Sequence, residues 1–581
     1  MDKKVLLSVK NLEVKFNVRG RVLTAIRNIS LDIYENESIA IVGESGSGKS
    51  VFTKTFAGML DNNGFISNGD LIFDDEELSY TNCNLSRVAR SELKFIKKKL
   101  DKYCSYVYAS DKYKELIQLV SDDKKKRVLS DEELESFETK KNDLLYERTE
   151  LFNHRQTLDP RNEREQIKEE GLKIKAYDAE IQQVENEKQA LIRAHKEKYR
   201  QDTAYIQSFK EKKKQLKSEI KEIIKKEPTE KMLEINDVLA KEVYLSTGRY
   251  GYFQRLKNIF KLLKELKLAF KLNVDLENDD LKNSIFDNVV FRVKLIDENE
   301  NMLYGKSAVN LAKIKYTKDW QQIRGRRIST IFQDPMTSLN PIIPIGKQIS
   351  AIIMKHQHVS EVEARRRAVE LMFKVGIPNP DNRYNDYPFQ YSGGMRQRIV
   401  IAIALSCQPK ILICDEPTTA LDVTIQAQIL KLIKDLQKEF NYTIVFITHD
   451  LGVVANIADR VAVLYAGQMV EIGTAEEVFY DPRHPYTWAL LSSMPQLAQR
   501  NTTLYTISGT PPSLYNKIVG DPFAPRNPYC LTIDTLKDSP MFKVTDTHYA
   551  KTWLLDPRAP KTEKPEAIQN IHEKLIKAFN I

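Results

Sequence analysis

One stretch near the start of the chain has the residue types and the spacing needed to bind phosphate. The sequence Gly43-Glu44-Ser45-Gly46-Ser47-Gly48-Lys49-Ser50 directly follows an apolar run, residues 38–42. Glycines let consecutive backbone N–H groups converge on phosphate oxygens, and a helix N-terminus adds partial positive charge. Lys49 would reach the β- and γ-phosphates, and the Ser50 hydroxyl would ligate Mg²⁺. The complete match behind a predicted strand favours a nucleotide site over a chance glycine-rich turn.

An acidic pair follows another apolar run, residues 411–414, which predicts a buried strand. Asp415 at the end of such a strand suits Mg²⁺ coordination, and the adjacent Glu416 suits a general base for water. An acidic pair in this place can also serve only as a helix cap. Because a complete phosphate loop is present in the same chain, the catalytic interpretation is favoured.

Other polar residues follow predicted elements in a fixed order. Gln333 comes after a predicted strand, Ser392-Gly393-Gly394 opens a predicted helix, and His449 ends another predicted strand. Asp422 lies shortly after the acidic pair. Each of these alone is compatible with an ordinary polar residue at an element end. Their order along the chain is phosphate loop, Gln, Ser-Gly-Gly, Asp-Glu, Asp and His. This order distinguishes a functional set of residues from ordinary polar residues at element ends.

The composition narrows the class of protein. The 581 residues allow roughly three or four domains. Its five cysteines are scattered without a CxxC pair, which suits a reducing compartment. No run approaches the ~20 apolar residues of a membrane span, and the first residues contain no secretory apolar region. Many lysines behind the net charge of +9 fall in one central block, where solvated helix faces explain them.

That central block, from about Ser86 to about Lys318, is dense in Lys, Glu and Asp. Apolar residues at helical and heptad spacing predict an antiparallel helical hairpin or short coiled coil, broken at Asp159-Pro160. Its second arm would be ~90 Å long if continuous, at about 1.5 Å per residue, so we expect a kink. No catalytic set of residues stands out in this block.

Within the block, residues 253–271 alternate an apolar face with lysines and one arginine. Such a basic amphipathic helix either lies on an anionic membrane or packs against neighbouring helices, and packing is the commoner case. Before the phosphate loop, residues 5–33 alternate and predict a small antiparallel sheet. Phe16 in that sheet is either a ring that stacks on adenine or a core aromatic, and the sequence leaves both open.

The complete motif set resembles the nucleotide-binding subunits of ABC transporters over about residues 5–85 and 320–555. The resemblance implies an α/β P-loop ATPase with a RecA-like core, an antiparallel β subdomain and a helical signature subdomain. A mainly helical insertion interrupts this domain, and a small α+β extension follows it. The expected boundaries are 1–85 and 319–480 for the ATPase domain, 86–318 for the insertion and 481–581 for the C-terminal domain.

The resemblance also implies ATP and Mg²⁺ as cofactors and a role for each motif. Glu416 would be the general base, His449 would contact the γ-phosphate, and Gln333 would sense nucleotide. Mg²⁺ would be held by Ser50, Gln333 and Asp415. The residues implied to bind nucleotide are Phe16, Gly43, Glu44, Ser45, Gly46, Ser47, Gly48, Lys49, Ser50, Val51, Gln333, Asp415 and His449. The signature residues that would contact ATP on an opposing subunit are Ser392, Gly393, Gly394, Met395 and Gln397, with Asp422 in the loop between the two sites.

Several strings resemble the oligopeptide/dipeptide importers in particular, and the signature resembles their D-type subunit. They are QDPMTSLNP at 333–341, SGGMRQR at 392–398, HPYT at 484–487 and GTPP at 509–512. The resemblance implies a second, F-type ATP-binding subunit, two transmembrane permease subunits and an extracellular peptide-binding lipoprotein. It places the chain at the cytoplasmic face of the plasma membrane, with no nucleic-acid partner.

The chain departs from that family in one respect. Members often carry a C-terminal cysteine cluster proposed to hold iron–sulfur, whereas here Gly520–Asn527 contains no cysteine and Cys530 stands alone. Iron–sulfur clusters usually need four thiolates, so none is expected. Two other classes remain as alternatives, a DNA-repair or chromosome-structure ATPase with a coiled coil, and a translation factor. The first usually carries its helices after the Gln strand, and the second usually has two ATPase domains.

Overall fold

The computed structural model describes residues 4–18, 21–158, 163–419, 421–494, 507–515, 518–565, 568–569 and 571. Its strands are β1 Val5–Val18, β2 Arg21–Tyr34, β3 Ser38–Val42, β4 Gly64–Phe73, β5 Tyr80–Asn84, β6 Val293–Glu298, β7 Met302–Ser307, β8 Val309–Asn310, β9 Ile328–Ile331, β10 Ile411–Asp415, β11 Thr443–Thr448, β12 Arg460–Tyr465, β13 Gln468–Thr474, β14 Phe542–Lys543 and β15 Tyr549–Ala550.

The α-helices lie between and beyond these strands. They are α1 Lys49–Phe56, α2 Glu76–Ser79, α3 Arg87–Cys104, α4 Ser110–Arg127, α5 Asp131–Thr157, α6 Arg164–Gln201, α7 Thr203–Ile223, α8 Glu230–Thr247, α9 Tyr252–Leu272, α10 Asp279–Asp287, α11 Thr317–Ile323, α12 Pro335–Ser338, α13 Ile345–Gln357, α14 Glu361–Lys374, α15 Pro380–Arg383, α16 Gly393–Leu405, α17 Val423–Phe440, α18 Leu451–Ile457, α19 Ala475–Tyr480, α20 Pro485–Ser492 and α21 Thr532–Leu536.

The chain forms two compact units. The core unit comprises Met1–Glu76 and Ala308–Ile581, and the inserted unit comprises Glu77–Ser307. In the core unit β8 pairs with β4, and the Asn310 side chain accepts from Leu71 N at 3.1 Å and donates to Asp70 at 2.8 Å. Residues 308–318, which composition assigns to the insertion, therefore belong to the core unit because their strand completes its sheet. Residues 77–85, expected in the ATPase domain, belong to the inserted unit because β5 pairs with β7 there.

The main sheet of the core unit has eight strands in the order β14-β15-β13-β12-β3-β11-β10-β9. From β12 to β9 neighbouring strands run parallel. All residues of β3 and β11 are buried, which explains their nearly continuous apolar sequences. Because parallel strands end at one edge of a sheet, the residues after β3, β9, β10 and β11 lie along the same edge. These findings confirm the α/β P-loop fold that the sequence predicts.

A second sheet of the core unit is antiparallel, in the order β2-β1-β4-β8. Phe16 lies in β1 between Leu23 of β2 and Gly64 of β4, and is 9% exposed. A Cβ at Gly64 would approach the Phe16 ring to 2.6 Å, so the ring fills the space that this glycine leaves. The position is that of a core aromatic, and stacking on adenine stays a prediction.

In the inserted unit, α5 and α6 lie antiparallel. Their ion pairs show this, because residue numbers rise on one helix as they fall on the other. The pairs are Glu138–Lys188 at 2.6 Å, Lys141–Glu185 at 3.0 Å and Arg148–Asp178 at 2.6 Å. The expected break at Asp159-Pro160 lies outside the described residues, and the coiled coil stays a prediction.

The long second arm of this helix pair is interrupted, as its length predicts. α6 ends at Gln201, and Asp202 caps α7 by accepting from Tyr205 N at 3.1 Å. A separate part of the inserted unit pairs β5 and β6 with β7. There the buried Arg292 donates to Glu242 at 2.7 and 3.0 Å. In the part of the chain that the structure describes, no helix is long and apolar enough to span a membrane.

Candidate nucleotide site

The phosphate loop leaves the buried strand β3 and enters α1 at Lys49. Gly43 has φ 152°, and a Cβ there would meet the backbone oxygen of Leu464 at 2.2 Å. Gly48 has φ 101°, with a Cβ position 3.0 Å from the Ala25 oxygen. Only glycine combines these φ values with such close backbone approaches. The sequence therefore fixes a tight loop whose N–H groups stand at a helix N-terminus.

Lys49 points back over its own loop. Its side-chain amine donates to the carbonyl oxygens of Gly43 at 2.8 Å and Glu44 at 3.0 Å, and the residue is 6% exposed. Burial lowers the pKa of Lys49, while the carboxylates of Glu416 and Asp415 act against that shift. Phosphate oxygens are stronger partners for an ammonium group than neutral carbonyls are. The loop thus holds the Lys49 ammonium group where it could contact a bound phosphate group.

Ser50 and Asp415 form the second part of the site. The Ser50 hydroxyl donates to Asp415 Oδ1 at 3.0 Å, joining the start of α1 to the end of β10. Burial raises the pKa of Asp415, and this hydrogen bond partly offsets the effect. A hydroxyl and a single carboxylate fit Mg²⁺, which usually takes one or two carboxylates together with substrate phosphates and water. Within the described ranges no cluster of three or more His, Cys, Asp or Glu is placed to hold a metal.

Glu416 is the point on which the predicted residues converge. Its carboxylate accepts from Gln333 Nε2 at 3.0 Å and from Thr419 at 3.1 Å, and it lies 3.2 Å from His449 Nδ1. The backbone at Glu416 has φ 45°, uncommon for a residue with a side chain, and its N–H donates to Ile447 O at 3.0 Å. Backbone strain of this kind concentrates at functional sites. Three chain segments thus fix one carboxylate beside the Ser50–Asp415 pair.

Thr419 was not among the residues singled out from the sequence. The side chain lies three positions after Glu416 and reaches back to it across the intervening turn. A hydroxyl at that spacing after an acidic residue is common in turns, because Ser and Thr side chains bond to nearby groups. The pattern was therefore visible, but it carried no specific signal.

The signature residues form a separate arrangement. Ser392 caps α16 by accepting from Met395 N at 3.4 Å, and Gln397 is 1% exposed. A Cβ at Gly394 would lie 2.8 Å from Ile425, whose N–H donates to Asp422 at 2.9 Å. The signature and Asp422 are therefore neighbours. Among the described contacts, none joins them to the phosphate loop.

Glu44 of the phosphate loop is held by the C-terminal part of the chain. Arg526 donates to its two carboxylate oxygens at 2.7 and 3.1 Å, and the Glu44 N–H donates to the Tyr486 hydroxyl at 2.8 Å. Arg526 also donates to Tyr465 at 3.1 Å and to Ser508 O at 3.0 Å. Planar guanidinium groups suit such two-point contacts with carboxylates. We call this set the loop brace.

The loop brace draws on three parts of the C-terminal region, of which one is an importer-type string and one adjoins another. Tyr486 comes from HPYT at 484–487, Ser508 precedes GTPP, and Arg526 comes from Gly520–Asn527. The sequence distinguishes the last stretch only by its missing cysteines and contains no local signal for the role of the arginine. In that string Asp521 is buried, which raises its pKa to about 6, partly offset by the N–H of Phe523. The C-terminal region contains one cysteine, Cys530, and the absence of an iron–sulfur cluster stays a prediction.

Comparison with known proteins adds to this geometry. A family model described as "ABC transporter" matches residues 26–250 and 293–419. A second, described as "Oligopeptide/dipeptide transporter, C-terminal region", matches residues 470–533. The chain is similar to the oligopeptide transport ATP-binding protein AmiE of Streptococcus pneumoniae, with 61% identity over 48% of this chain and 80% of that protein.

Two further relatives give the same picture. The oligopeptide transport ATP-binding protein OppD of Bacillus subtilis is 58% identical over 48% of this chain and 77% of its own length. The dipeptide transport ATP-binding protein DppD of Lactococcus lactis is 56% identical over 47% of this chain and 77% of its own length. Each relative is thus covered over more than three quarters of its length by about half of this chain.

Proposed function

The chain belongs to the ABC transporter family, and from this premise we propose that it is the ATP-hydrolysing subunit of an importer of oligopeptides. The observation that carries the ATPase assignment is the convergence of Gln333, Thr419 and His449 on Glu416, beside the Ser50–Asp415 pair. The cargo rests on the C-terminal match and on what the relatives transport.

Each part of the site has one task in this proposal. The loop N–H groups and Lys49 bind the phosphates, and Ser50, Asp415 and Gln333 would hold Mg²⁺. The metal, when bound, neutralises charge on the phosphates. Catalysis of this kind depends mainly on positioning and electrostatic stabilisation.

Glu416 acts as the general base. Its carboxylate orients the attacking water and accepts a proton from it, while Thr419 keeps the carboxylate in place. His449, which now contacts Glu416, contacts the γ-phosphate when ATP is present. Gln333, which donates to Glu416, would also be a ligand for the metal, and through this residue the presence of nucleotide would affect the segment that follows it.

The signature completes a second subunit's site. Ser392, Gly393 and Gly394 stand at the N-terminus of α16, where backbone N–H groups attract phosphate. In this proposal they act on ATP bound by an opposing subunit. We propose an F-type subunit for that role, with Asp422 between the two sites.

If the chain is a subunit of an importer, it also needs membrane-spanning and peptide-binding partners. Two permease subunits form the path through the membrane, and an extracellular lipoprotein delivers the peptide. The chain then works at the cytoplasmic face of the plasma membrane. The inserted unit precedes Gln333 instead of following it, which argues against the DNA-repair alternative.

The test is reconstitution. The tagged chain is purified from its native membrane, its partners are identified, and the assembly is placed in vesicles with ATP and a labelled oligopeptide. We expect a second ATP-binding subunit, two membrane proteins and ATP-dependent peptide uptake, and no uptake with Glu416→Gln. Recovery of nucleases or DNA without membrane proteins would overturn the proposal, and uptake of another solute alone would overturn its cargo.

A further inference from the structure

Helix α9 of the inserted unit leaves aromatic rings in solvent. Its buried face includes Ile259, Leu263 and Leu266, so packing inside the unit accounts for that side. On the opposite side Phe253 is 86% exposed and Phe260 is 57% exposed. A helix that only packs on its neighbours would place polar residues there.

Lysines alternate with these rings. Lys257, Lys261 and Lys264 are exposed, and with the two phenylalanines they follow helical spacing along one stripe of α9. In the described part of the chain, none of the three lysines forms an ion pair. Some other lysines of the unit do pair, as in Lys97–Asp237 at 2.6 Å and Lys241–Glu298 at 2.7 Å. The positive charge of the stripe is therefore uncompensated.

Helix α3 extends the same surface. It runs parallel to α9, joined by the Arg255–Glu92 ion pair at 2.9 Å and by an edge contact between the rings of Phe95 and Phe260 at 5.9 Å. Phe95 is 39% exposed, and Lys98 and Lys102 beside it are exposed. We name the combined surface the basic–aromatic face, defined by Phe95, Phe253, Lys257, Phe260, Lys261 and Lys264.

We propose that the basic–aromatic face binds the surface of an anionic lipid bilayer. Lysine ammonium groups attract acidic headgroups, and phenylalanine rings on the same stripe enter the boundary between headgroups and acyl chains. The Arg255–Glu92 ion pair supports the choice, because Glu92 on α3 neutralises Arg255 and leaves the lysines for the ligand. A nucleic acid is a less suitable ligand than an anionic bilayer, because the basic–aromatic face contains no arginine to bind phosphate with two hydrogen bonds.

The experiment measures binding of the full chain to vesicles by co-sedimentation. One set of vesicles contains phosphatidylcholine alone, and the other contains phosphatidylcholine and phosphatidylglycerol in equal parts. We expect binding only to the anionic vesicles, weakened by salt because the attraction is electrostatic. Loss of the three α9 lysines, in Lys257→Gln/Lys261→Gln/Lys264→Gln, should weaken it roughly a hundredfold.

The matched control lies on α7. Lys210, Lys214 and Lys217 are exposed, belong to the same unit and have the same spacing along their helix. Their triple change to Gln removes equal charge and should leave vesicle binding unchanged. An equal loss in both triple variants would mean that net charge alone attracts lipid, and would overturn the proposal.

The aromatic part is tested separately. Phe253→Ser should weaken vesicle binding while its circular dichroism and melting temperature match those of the parent chain, because this ring is 86% exposed. Phe260 is kept in this variant because its ring contacts Phe95. Basal ATP hydrolysis should be unchanged in every variant, which distinguishes this proposal from the proposed function. Absence of binding to anionic vesicles, or tight binding to a single-stranded oligonucleotide that competes with them, would contradict it.

Discussion

The core unit and the inserted unit use their charged residues in opposite ways. In the core unit, Glu416 contacts side chains from other segments at a common sheet edge, and Glu44 is held by Arg526 from the far end of the sequence. In the inserted unit, charges mostly pair between neighbouring turns or facing helices, as in Glu169–Lys173 at 2.7 Å. Exposed pairs of this kind contribute about 0–1 kcal/mol. The proposed ATPase site of the core unit therefore depends on contacts between residues that are far apart in the sequence. The charges of the inserted unit mostly lie on its surface.

The largest expected effect is at the residue of greatest convergence. Glu416→Gln keeps the shape of the side chain but removes the proposed general base, so ATP turnover should fall about 10²- to 10⁴-fold while ATP binding persists. Phosphate release by the chain isolated with its membrane partners measures this. The exposed Glu476→Gln, in the same unit, should turn over at the parent rate. Turnover near the parent rate in Glu416→Gln would show that the side chains gathered around Glu416 do not position a general base.

The metal position gives the next effect. Ser50→Ala removes the hydroxyl that now bonds to Asp415, and the concentration of Mg²⁺ needed for half-maximal turnover should rise by about tenfold. A magnesium titration of ATP hydrolysis checks this. If Ser50→Ala and the parent chain gave the same titration curve, the Ser50–Asp415 pair would be a structural hydrogen bond only.

The loop brace tests whether the C-terminal region takes part in nucleotide binding. Arg526→Ala leaves the Glu44 carboxylate without its cation, so the KM for ATP should rise about tenfold, as expected for loss of a charge-assisted hydrogen bond. The kcat should change much less. Arg526→Lys should recover part of the loss, because lysine supplies charge but not the two-point fork. If the KM of Arg526→Ala were unchanged and only its melting temperature fell, the loop brace would contribute to stability alone.

Phe16 separates a core role from a ligand role. Phe16→Leu keeps an apolar side chain against Gly64, and if the ring is a core residue the KM for ATP should change less than about twofold. Loss of a stacked base typically costs about 1–3 kcal/mol, or roughly five- to a hundredfold in affinity. A rise of that size would restore the adenine interpretation.

The sequence predicts the residues of the site better than their surroundings. Asp415 ends β10, and Glu416 and His449 directly follow β10 and β11. Both strands have nearly continuous apolar sequences, and parallel strands end at one edge of a sheet. Arg526 escapes prediction because its partner Glu44 is hundreds of residues away and no local pattern links them. The boundary of the inserted unit escapes for a similar reason. Composition changes near Lys318, but the pairing of β8 with β4 assigns residues from Ala308 onward to the core unit.

The central claim is that ATP hydrolysis belongs wholly to the core unit, and removing the inserted unit tests it most directly. Phe73 and Val309 are paired in the antiparallel sheet, where paired Cα atoms lie about 4.5–5.5 Å apart. A short Gly-Ser linker in place of Glu77–Ser307 can therefore close the chain while keeping Asn310 and its bonds to β4. We predict ATP turnover by the shortened chain, with its partners, within about twofold of the full chain, since positioning groups for phosphoryl transfer all remain. Loss of turnover in a shortened chain that still folds and assembles would contradict the claim and make the inserted unit part of the ATPase.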